Sequence, residues 1–436
     1  MRIAYLTAGA AGMYCGACAR DLVLIRGLVA RGHEVQVTPL YTPLKLEAPL
    51  TAPTNRIHLG GINMYLQQKC PACGMAPAAV RGILDRPGLL NFATRFAVSN
   101  QASDLGAMTV SVLSGAHGRQ RAELEGLLRF LEQGPRPDLV VLTNTMLGAV
   151  GTEVKRRLGV PVVAGLQGEE DFVGQMDEPY RSEAQRLMQE HARAVELFIA
   201  PYTDHAGKMS EYLAISPERI RIVRTGLDAS VFARPGPRPR DPFTIGYLAG
   251  LTHGKGLDLV VEAVAQLAAA GREVKLRVAG KVLDKAFWRQ VQQRVQEAGL
   301  TGSVEYLGEV TLEEKVRFLH SLSAYALPSR FAEARGLSAM EALAAGVPVV
   351  VPARGVFPEM IGLTGGGLLV QPEDPQALAE ALARLQDDPD EADRLGEAGA
   401  EGIARHYGVD AVVEETLAVY EEALGGTSSY QASTLT

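Results

Sequence analysis

Glu333 and Glu341 lie eight positions apart, one just before and one within a predicted helix. Between them, Gly336 allows the backbone to approach a ligand closely, and the free N–H groups from Leu337 and Ser338 onward would attract an anion such as a phosphate. The carboxylates cannot bind a phosphate, but they can accept hydrogen bonds from hydroxyl groups. The pattern therefore fits sugar rings held on either side of a diphosphate. The alternative is that Glu333 is simply a charged residue of a loop and that Glu341 lies near the N-terminus of the helix, where its negative charge interacts favourably with the helix dipole.

The elements around these residues predict a strand, a loop, a helix and a second strand. AYALPS is typical of a strand that runs into a loop, and residues 337–345 are rich in the helix formers Leu, Ala, Met and Glu. VPVVV follows Gly346, and its unbroken apolar character is typical of a parallel strand buried on both faces. The loop of such a unit lies at the carboxyl edge of the sheet, where open α/β folds bind ligands.

The segment EARGLSAME resembles the E-x7-E signature of the retaining family-4 glycosyltransferases. That family has an α/β architecture of two Rossmann-like, doubly wound domains that face each other across a cleft, the GT-B fold. The resemblance implies that Glu333 contacts the donor sugar, that Glu341 contacts the ribose, and that the amides between them contact the diphosphate. It covers nearly the whole chain, most closely over residues 244–375 and least over 60–135.

Lys255 and Gly254 lie in AGLTHGKGLD, where the first turn of a second domain is predicted to meet its helix. Lys255 matches the lysine of the family's G-R-L-x-x-x-K-G motif, which neutralises the donor phosphates; the alternative is a solvated surface lysine. Gly250 stands where the family usually has Arg, so one of two expected cations is missing. Three nearby side chains could substitute for it: Arg330, Arg335 and His253.

Gln167 follows the predicted strand PVVAGL, at a position where related proteins often carry His. Glu169, Glu170 and Asp171 come directly after it, and three successive acids are usually a solvated loop. At the carboxyl edge of a sheet, however, Gln167, Glu169 and Glu170 would be placed to bind the hydroxyl groups of an acceptor. No DxD-type motif lies nearby, so we do not expect these acids to bind a metal.

All four cysteines fall in two C-x-x-C pairs, Cys15 with Cys18 and Cys70 with Cys73. This spacing is typical of a tetrahedral zinc site with four thiolate ligands, which would be structural. An iron–sulfur cluster also suits these ligands but is a weaker fit. Free thiols and local disulfides are the alternatives, and the pattern is no part of the glycosyltransferase signature.

The sequence predicts two domains that begin in the same way, with a strand, a Gly-containing turn and a helix. Residues 1–233 form a first Rossmann-like domain on the acceptor side, in which Gly12 of the first turn is a candidate donor-binding residue and residues of about 60–135 are a helical insertion. A proline-rich linker at 234–242 precedes a nucleotide-sugar domain at 243–408. A helix at 409–424 is expected to cross back to the first domain, and a disordered tail follows at 425–436.

The predicted strands are short apolar runs separated by helical segments. In the first domain they are RIAYLT, EVQVTPL, RIHL, DLVVL, PVVAGL, LFIA and IRIV. In the second domain they are TIGYLA, KLRVAG, VEYLG, AYALP, VPVVV and GLLV.

Composition narrows the classes of function. The net charge of −7 argues against a nucleic-acid partner, and 47% hydrophobic residues with 21% charged residues are typical of a globular protein. The strand RIAYLT follows Met1 directly without a leader, and no apolar run is long enough to span a bilayer. We therefore expect a cytoplasmic protein whose contact with membranes is at most peripheral.

The resemblance implies a retaining hexosyltransferase that moves a sugar from a UDP-, GDP- or ADP-linked donor to an acceptor hydroxyl, and that needs no cofactor for catalysis. Two alternatives come from other classes: a nucleotide-sugar-binding regulatory protein without transferase activity, and a two-domain nucleotide-sugar epimerase. No motif in the sequence encodes the donor base, the donor sugar, the acceptor or the oligomeric state.

Overall fold

The structure is a computed structural model that describes residues 1–7, 16–40 and 102–425, with side chains for all of these except 16–20 and 102–104. The predicted strand RIHL at 56–59, the predicted insertion up to residue 101 and the tail from residue 426 lie outside the described residues. The chain divides into two compact units. The first comprises Met1–Arg224 together with the residues from Val413 on, and the second comprises Thr225–Val412.

Six parallel strands form the sheet of the first unit within its described residues, in the order β2-β1-β3-β4-β5-β6. The predicted strands that fall in the described residues are confirmed. All four residues of the central strand β3 are buried, as its continuous apolar sequence predicts. The strands are β1 (Arg2–Thr7), β2 (Glu34–Pro39), β3 (Leu139–Leu142), β4 (Val162–Gly165), β5 (Leu197–Ala200) and β6 (Ile220–Ile222).

The helices of the first unit connect successive strands, and their apolar stripes form its core. In RAELEGLLRFLEQ, for example, four leucines at helical spacing are all buried, namely Leu124, Leu127, Leu128 and Leu131. The helices are α1 (Gly16–Ala30), α2 (Ala102–Leu113), α3 (Arg121–Gln133), α4 (Gly148–Leu158), α5 (Glu169–Gly174), α6 (Tyr180–Ala192) and α7 (Thr203–Leu213).

The sheet of the second unit also has six parallel strands, in the order β12-β11-β10-β7-β8-β9. The chain builds outward from β7 in one direction and then returns to add β10 on the other side of β7, so the strand order reverses between β7 and β10. Ligands of doubly wound sheets bind outside the carboxyl ends of the strands at this reversal. The strands are β7 (Phe243–Leu248), β8 (Val274–Ala279), β9 (Val304–Tyr306), β10 (Ala324–Ala326), β11 (Val349–Pro352) and β12 (Gly367–Val370).

Several helices of the second unit begin with a side-chain cap. Thr311 and Glu314 form a reciprocal capping box, and Asp284, Asp374 and Asp388 each accept hydrogen bonds from first-turn N–H groups. The helices are α8 (Leu257–Ala269), α9 (Lys285–Glu297), α10 (Leu312–His320), α11 (Leu337–Ala344), α12 (Phe357–Thr364), α13 (Pro375–Asp387) and α14 (Pro389–His406).

Residues 234–242, the predicted linker, belong to the second unit by their contacts. The guanidinium of Arg238 is almost fully buried, donates a hydrogen bond to Ser323 O at 2.8 Å and pairs with Asp393 at 2.9 Å. The final helix, α15 (Val409–Ala423), starts in the second unit and continues in the first, where Arg224 pairs with Glu415 and Arg221 with Glu422.

No helix in the described part of the chain has the length and apolar character that a bilayer span requires. The predicted cytoplasmic location stays a prediction.

Candidate functional site

The loop between β10 and α11 ends at Gly336, which begins the helix in the left-handed conformation with φ of 61°. A Cβ atom at this position would lie 2.9 Å from Phe357 Cε1 and 3.0 Å from Met360 Cε, so only glycine fits without a shift of both neighbours. Glycine offers no side chain to cap the helix. The first N–H groups of α11, at Leu337 and Ser338, are therefore available to an anion.

Glu333 lies in the same loop and is 8% exposed. Its Oε1 atom receives two donors: Lys255 Nζ at 2.5 Å and Ser329 Oγ at 2.6 Å. The Lys255 ammonium also lies 4.6 Å from the centre of the Phe331 ring, a cation–π contact that helps to fix its position. The structure thus brings together two of the predicted site residues, Lys255 and Glu333, as a partly buried ion pair.

Two strand-end loops at the reversal of the second sheet hold this pair. Lys255 closes the 3-10 turn His253–Lys255 that follows β7, and Glu333 follows β10, the parallel neighbour of β7. Arg330 N donates to Gly254 O at 2.8 Å and ties one loop to the other. The predicted residues of the second unit are therefore gathered at the carboxyl edge of one sheet.

Glu341 lies one turn inside α11 and is 7% exposed. Its carboxylate accepts a hydrogen bond at 2.7 Å from Lys315 on α10. Burial raises the pKa of Glu341, and the neighbouring Lys315 ammonium opposes this rise. Ser338, between the two glutamates, is joined at 2.8 Å to the hydroxyl of the buried Tyr325 on β10.

The space beside Gly250, where related proteins usually carry Arg, is occupied by Leu283. A Cβ atom at Gly250 would lie 2.7 Å from Leu283 Cδ1, and Leu283 is 64% exposed. Arg330, one proposed substitute for the missing cation, is engaged elsewhere: it donates to both carboxylate oxygens of Asp258, at 2.8 and 2.6 Å. His253, another proposed substitute, packs edge-on against Phe287 at 5.9 Å.

Gln167, Glu169 and Glu170 lie in the first unit, at the carboxyl end of β4. Glu169 is buried, accepts hydrogen bonds from Thr145 N and Oγ1 at 2.8 and 2.9 Å, and accepts another from Gln167 N at 2.6 Å. Gln167 Nε2 in turn donates to Thr143 O. The interpretation of Glu169 as a solvated loop acid is therefore wrong, because its carboxylate joins the loops after β3 and β4.

Glu170 faces His205 of α7, and its Oε1 atom lies 3.6 Å from His205 Nδ1. Burial raises the pKa of Glu170 to about 7. One ligand atom from each of Glu169, Glu170 and His205 lies within 4.8 Å of the others, a spacing at which a cation could bind. Their use as acceptor-side residues stays a prediction.

Sequence reasoning missed Lys315, Ser329, Thr145 and His205. A signal existed for Ser329, which lies four positions before Glu333 in the same loop. Of the other predicted residues, Gly12, Cys15, Cys70 and Cys73 lie outside the described residues, and Cys18 lies in α1 in the part described without side chains. The proposed metal site stays a prediction.

Comparison with known families agrees with this geometry. Residues 231–402 match the family described as "Glycosyl transferases group 1", and residues 16–226 match the "Glycosyl transferase 4-like domain". Together the two matches cover most of the chain and support a family-4 glycosyltransferase. The curated relatives described next are glycosyltransferases.

Two curated relatives illustrate the range of activities. The MMP alpha-(1->4)-mannosyltransferase of Mycolicibacterium hassiacum is 30% identical over 53% of this chain and 56% of its own length. The D-inositol 3-phosphate glycosyltransferase of a Nocardioides species is 29% identical over 66% of this chain and 67% of its own length. The match thus spans little more than half of the mannosyltransferase.

Solved structures show the same fold at low identity. Anabaena HepE in complex with UDP aligns with a TM-score of 0.66 and 17% identity over 97% of this chain and all of that chain. Sucrose-phosphate synthase from Thermosynechococcus elongatus aligns with a TM-score of 0.70 and 18% identity over 98% of this chain and 99% of that chain. The protein therefore has two Rossmann-like domains of the GT-B type.

Proposed function

We propose that this protein transfers a hexosyl group from a nucleoside diphosphate sugar to an acceptor hydroxyl, and that its second unit binds the donor. The observation that carries the proposal is the Lys255–Glu333 pair at 2.5 Å beside the uncapped start of α11. It combines one cation, one carboxylate and free backbone N–H groups at the strand reversal of a doubly wound sheet.

Each group has a distinct role in this proposal. Lys255 and the N–H groups of Leu337 and Ser338 bind the diphosphate, and Glu341 accepts a hydrogen bond from the ribose. Glu333 accepts a hydrogen bond from the donor sugar through Oε2, since both of its described donors bind Oε1.

The reaction breaks the bond between the anomeric carbon and the diphosphate oxygen, which keeps the electron pair. A bond forms between the anomeric carbon and the acceptor oxygen on the same face of the sugar, and the acceptor proton passes to the leaving diphosphate. Negative charge grows on the diphosphate in the transition state, so Lys255 and the helix N–H groups stabilise the transition state more than the ground state. No metal or other cofactor is required for these steps.

The donor base belongs to this proposal as well. HepE has been solved with UDP and with UDP-glucose, which favours a uridine nucleotide as the first to test. GDP-linked and ADP-linked sugars are the other candidates.

The test begins with the melting temperature of the protein in the presence of UDP, GDP and ADP, because a ligand that binds the native state raises it. Sugar derivatives of the best nucleotide are then incubated with acceptor panels, and the released nucleotide and the anomeric configuration of the product are measured. Glu333→Gln should lower turnover by about tenfold to a hundredfold, the loss of a charged hydrogen bond of about 1.5–3 kcal/mol, with little change in nucleotide affinity. Unchanged kinetics in Glu333→Gln would contradict its proposed role.

A further inference from the structure

Lys315 belongs to no motif of the sequence, yet its ammonium reaches the second glutamate of the site. Lys315 Nζ lies 2.7 Å from Glu341 Oε1, and the two side chains are only 13% and 10% exposed. An ion pair this buried depends on both members, because removal of one leaves the other charge without compensation. The contact is therefore unlike a surface ion pair, which contributes little.

We propose that Lys315 is a positioning residue of the donor site, which keeps Glu341 ionised and occupies its Oε1 atom so that Oε2 faces the nucleotide ribose. This inference rests on the proposed function, because it takes Glu341 to be the residue that contacts the ribose.

The surroundings of Glu341 make a cationic partner necessary. Burial is the main influence on the pKa of Glu341 and raises it, whereas the charge and hydrogen bond of Lys315 lower it. Tyr325 also lies close to Glu341, and burial raises its pKa far above the usual range, so that it stays neutral. Its hydroxyl is joined to Ser338 Oγ at 2.8 Å and to Leu248 O at 3.2 Å.

Lys315 is the charged group among the described residues that acts on the pKa of Glu341. The helix α14 approaches α11 through Gly396 and Gly399, where added Cβ atoms would lie 2.3 Å from Gly346 O and 2.7 Å from Leu343 Cδ2. The strand β11 is entirely apolar in sequence.

The 3-10 turn Ala229–Val231 has no titratable side chain, and Asp228 before it caps the turn through Ser230. Among the described residues, Lys315 is therefore the cation that compensates Glu341.

Phe232 helps to hold the lysine in place. Its ring centre lies 5.9 Å from Lys315 Nζ, and the ring itself is buried. The ammonium thus interacts with both an aromatic ring and the carboxylate. Fixed groups lose less freedom when a ligand binds, so the pair presents a preorganised acceptor to a hydroxyl group.

Loss of the lysine charge should raise the pKa of Glu341 further, because burial then acts without an opposing cation. A larger fraction of Glu341 is then neutral than in the wild-type protein. A neutral carboxyl group makes hydrogen bonds of roughly half the strength of those made by a carboxylate. Nucleotide affinity should then depend on pH in a way that the wild-type protein does not show.

The experiment compares Lys315→Met with the wild-type protein by calorimetric titration of whichever of UDP, GDP and ADP raises the melting temperature most. We expect affinity about five- to tenfold weaker at neutral pH. It should recover as the pH rises, because Glu341 ionises. Lys315→Arg should restore both the affinity and the flat pH profile. Lys315→Gln serves the same test if the methionine variant does not fold.

Lys281→Met is the matched control, because Lys281 forms an exposed pair with Glu309 at 3.9 Å in the same unit. It should leave affinity unchanged at every pH. In the Lys315→Met background, Glu341→Gln should weaken binding by less than it does in the wild-type background, since the effect of Lys315 acts through the charge of Glu341.

Two outcomes separate failure of this inference from failure of the proposed function. Normal affinity in Glu341→Gln would mean that the ribose contact itself is wrong. Weak binding in Glu341→Gln together with a wild-type pH profile in Lys315→Met would overturn the role of Lys315 alone.

Discussion

Lys255 Nζ and Glu333 Oε1 lie 2.5 Å apart, so the cation proposed to bind the diphosphate and the carboxylate proposed to bind the donor sugar are paired with each other. Ser329 Oγ donates to the same carboxylate oxygen. A diphosphate that binds here must therefore contact Lys255 together with Glu333, or displace Glu333 from it. This relationship makes the lysine and the glutamate parts of one unit, and it predicts that substitutions at either will affect the other.

The first prediction concerns Lys255. Lys255→Ala removes the cation that we propose faces the leaving diphosphate, and we expect turnover to fall by roughly a hundredfold or more, as for loss of one electrostatic contact in a transition state. Binding of the free nucleoside, which has no phosphates, should stay within about twofold of wild type. Steady-state kinetics and nucleoside titration measure the two effects, with Lys281→Ala as the control for loss of a lysine. Wild-type turnover in Lys255→Ala would place the donor elsewhere.

The second prediction restores the missing cation. Leu283 fills the space at Gly250 but is largely exposed, so its side chain can be removed at little cost. In a Leu283→Ala background, Gly250→Arg should tighten binding of the nucleoside diphosphate by about tenfold, the worth of one added charge-assisted hydrogen bond. Leu283→Ala alone is the control and should not change affinity.

The readout for this variant is the change in affinity for the nucleoside diphosphate compared with the change in affinity for the nucleoside. An arginine that contacts phosphate should improve binding of the diphosphate only. Equal improvement for both ligands, or for neither, would mean that residue 250 does not face the phosphates.

The parts of the site that the sequence could predict are those that one loop and one helix hold together. Glu333, Gly336 and Glu341 lie within nine positions of each other, so local propensity fixes their arrangement once the strand and helix are recognised. Lys315 could not be found in this way. It lies 26 positions before Glu341 on another helix, and whether it faces Glu341 depends on how α10 and α11 are rotated and packed.

The same dependence on packing explains why two other contacts could not be predicted from the sequence. Leu283 reaches Gly250 from the segment after β8, and His205 reaches Glu170 from the start of α7. Both contacts arise because neighbouring parallel strands end at one edge of a sheet. Sequence patterns predict that the residues after these strands lie near each other, but not which side chains are in contact. The positions of the strands along the chain could be predicted from their apolar runs, whereas side-chain partners required the packed structure.

The third prediction concerns Glu170, whose pKa burial raises to about 7. The ordinary pKa of a glutamate is 4.5, so between about pH 4.5 and 7 the folded protein binds more protons than the unfolded chain. The free energy of unfolding therefore falls as the pH rises through this range. Glu170→Gln removes this penalty. Above pH 7 the variant should be more stable by about 1–2 kcal/mol after allowance for partial solvent exposure, and below pH 4.5 it should match wild type.

Urea unfolding at a series of pH values measures this difference, and Glu211→Gln, at an exposed position of α7, is the control. If Glu170→Gln and wild type have parallel stability profiles from pH 4.5 to 8, the carboxyl does not titrate as described.

The last prediction concerns Cys15, Cys18, Cys70 and Cys73, whose two C-x-x-C pairs we propose to hold one structural zinc ion. Four thiolates would fill a tetrahedral site and leave no position for a catalytic water, so the metal would act on folding and not on transfer. Protein purified without added metal or a histidine tag should contain about one zinc per chain by elemental analysis. Cys70→Ser should lose the zinc and destabilise the first unit while nucleotide binding survives, because Lys255, Glu333 and Glu341 belong to the second unit. Iron in place of zinc would favour the cluster, and four freely titrating thiols without either metal would rule out the site.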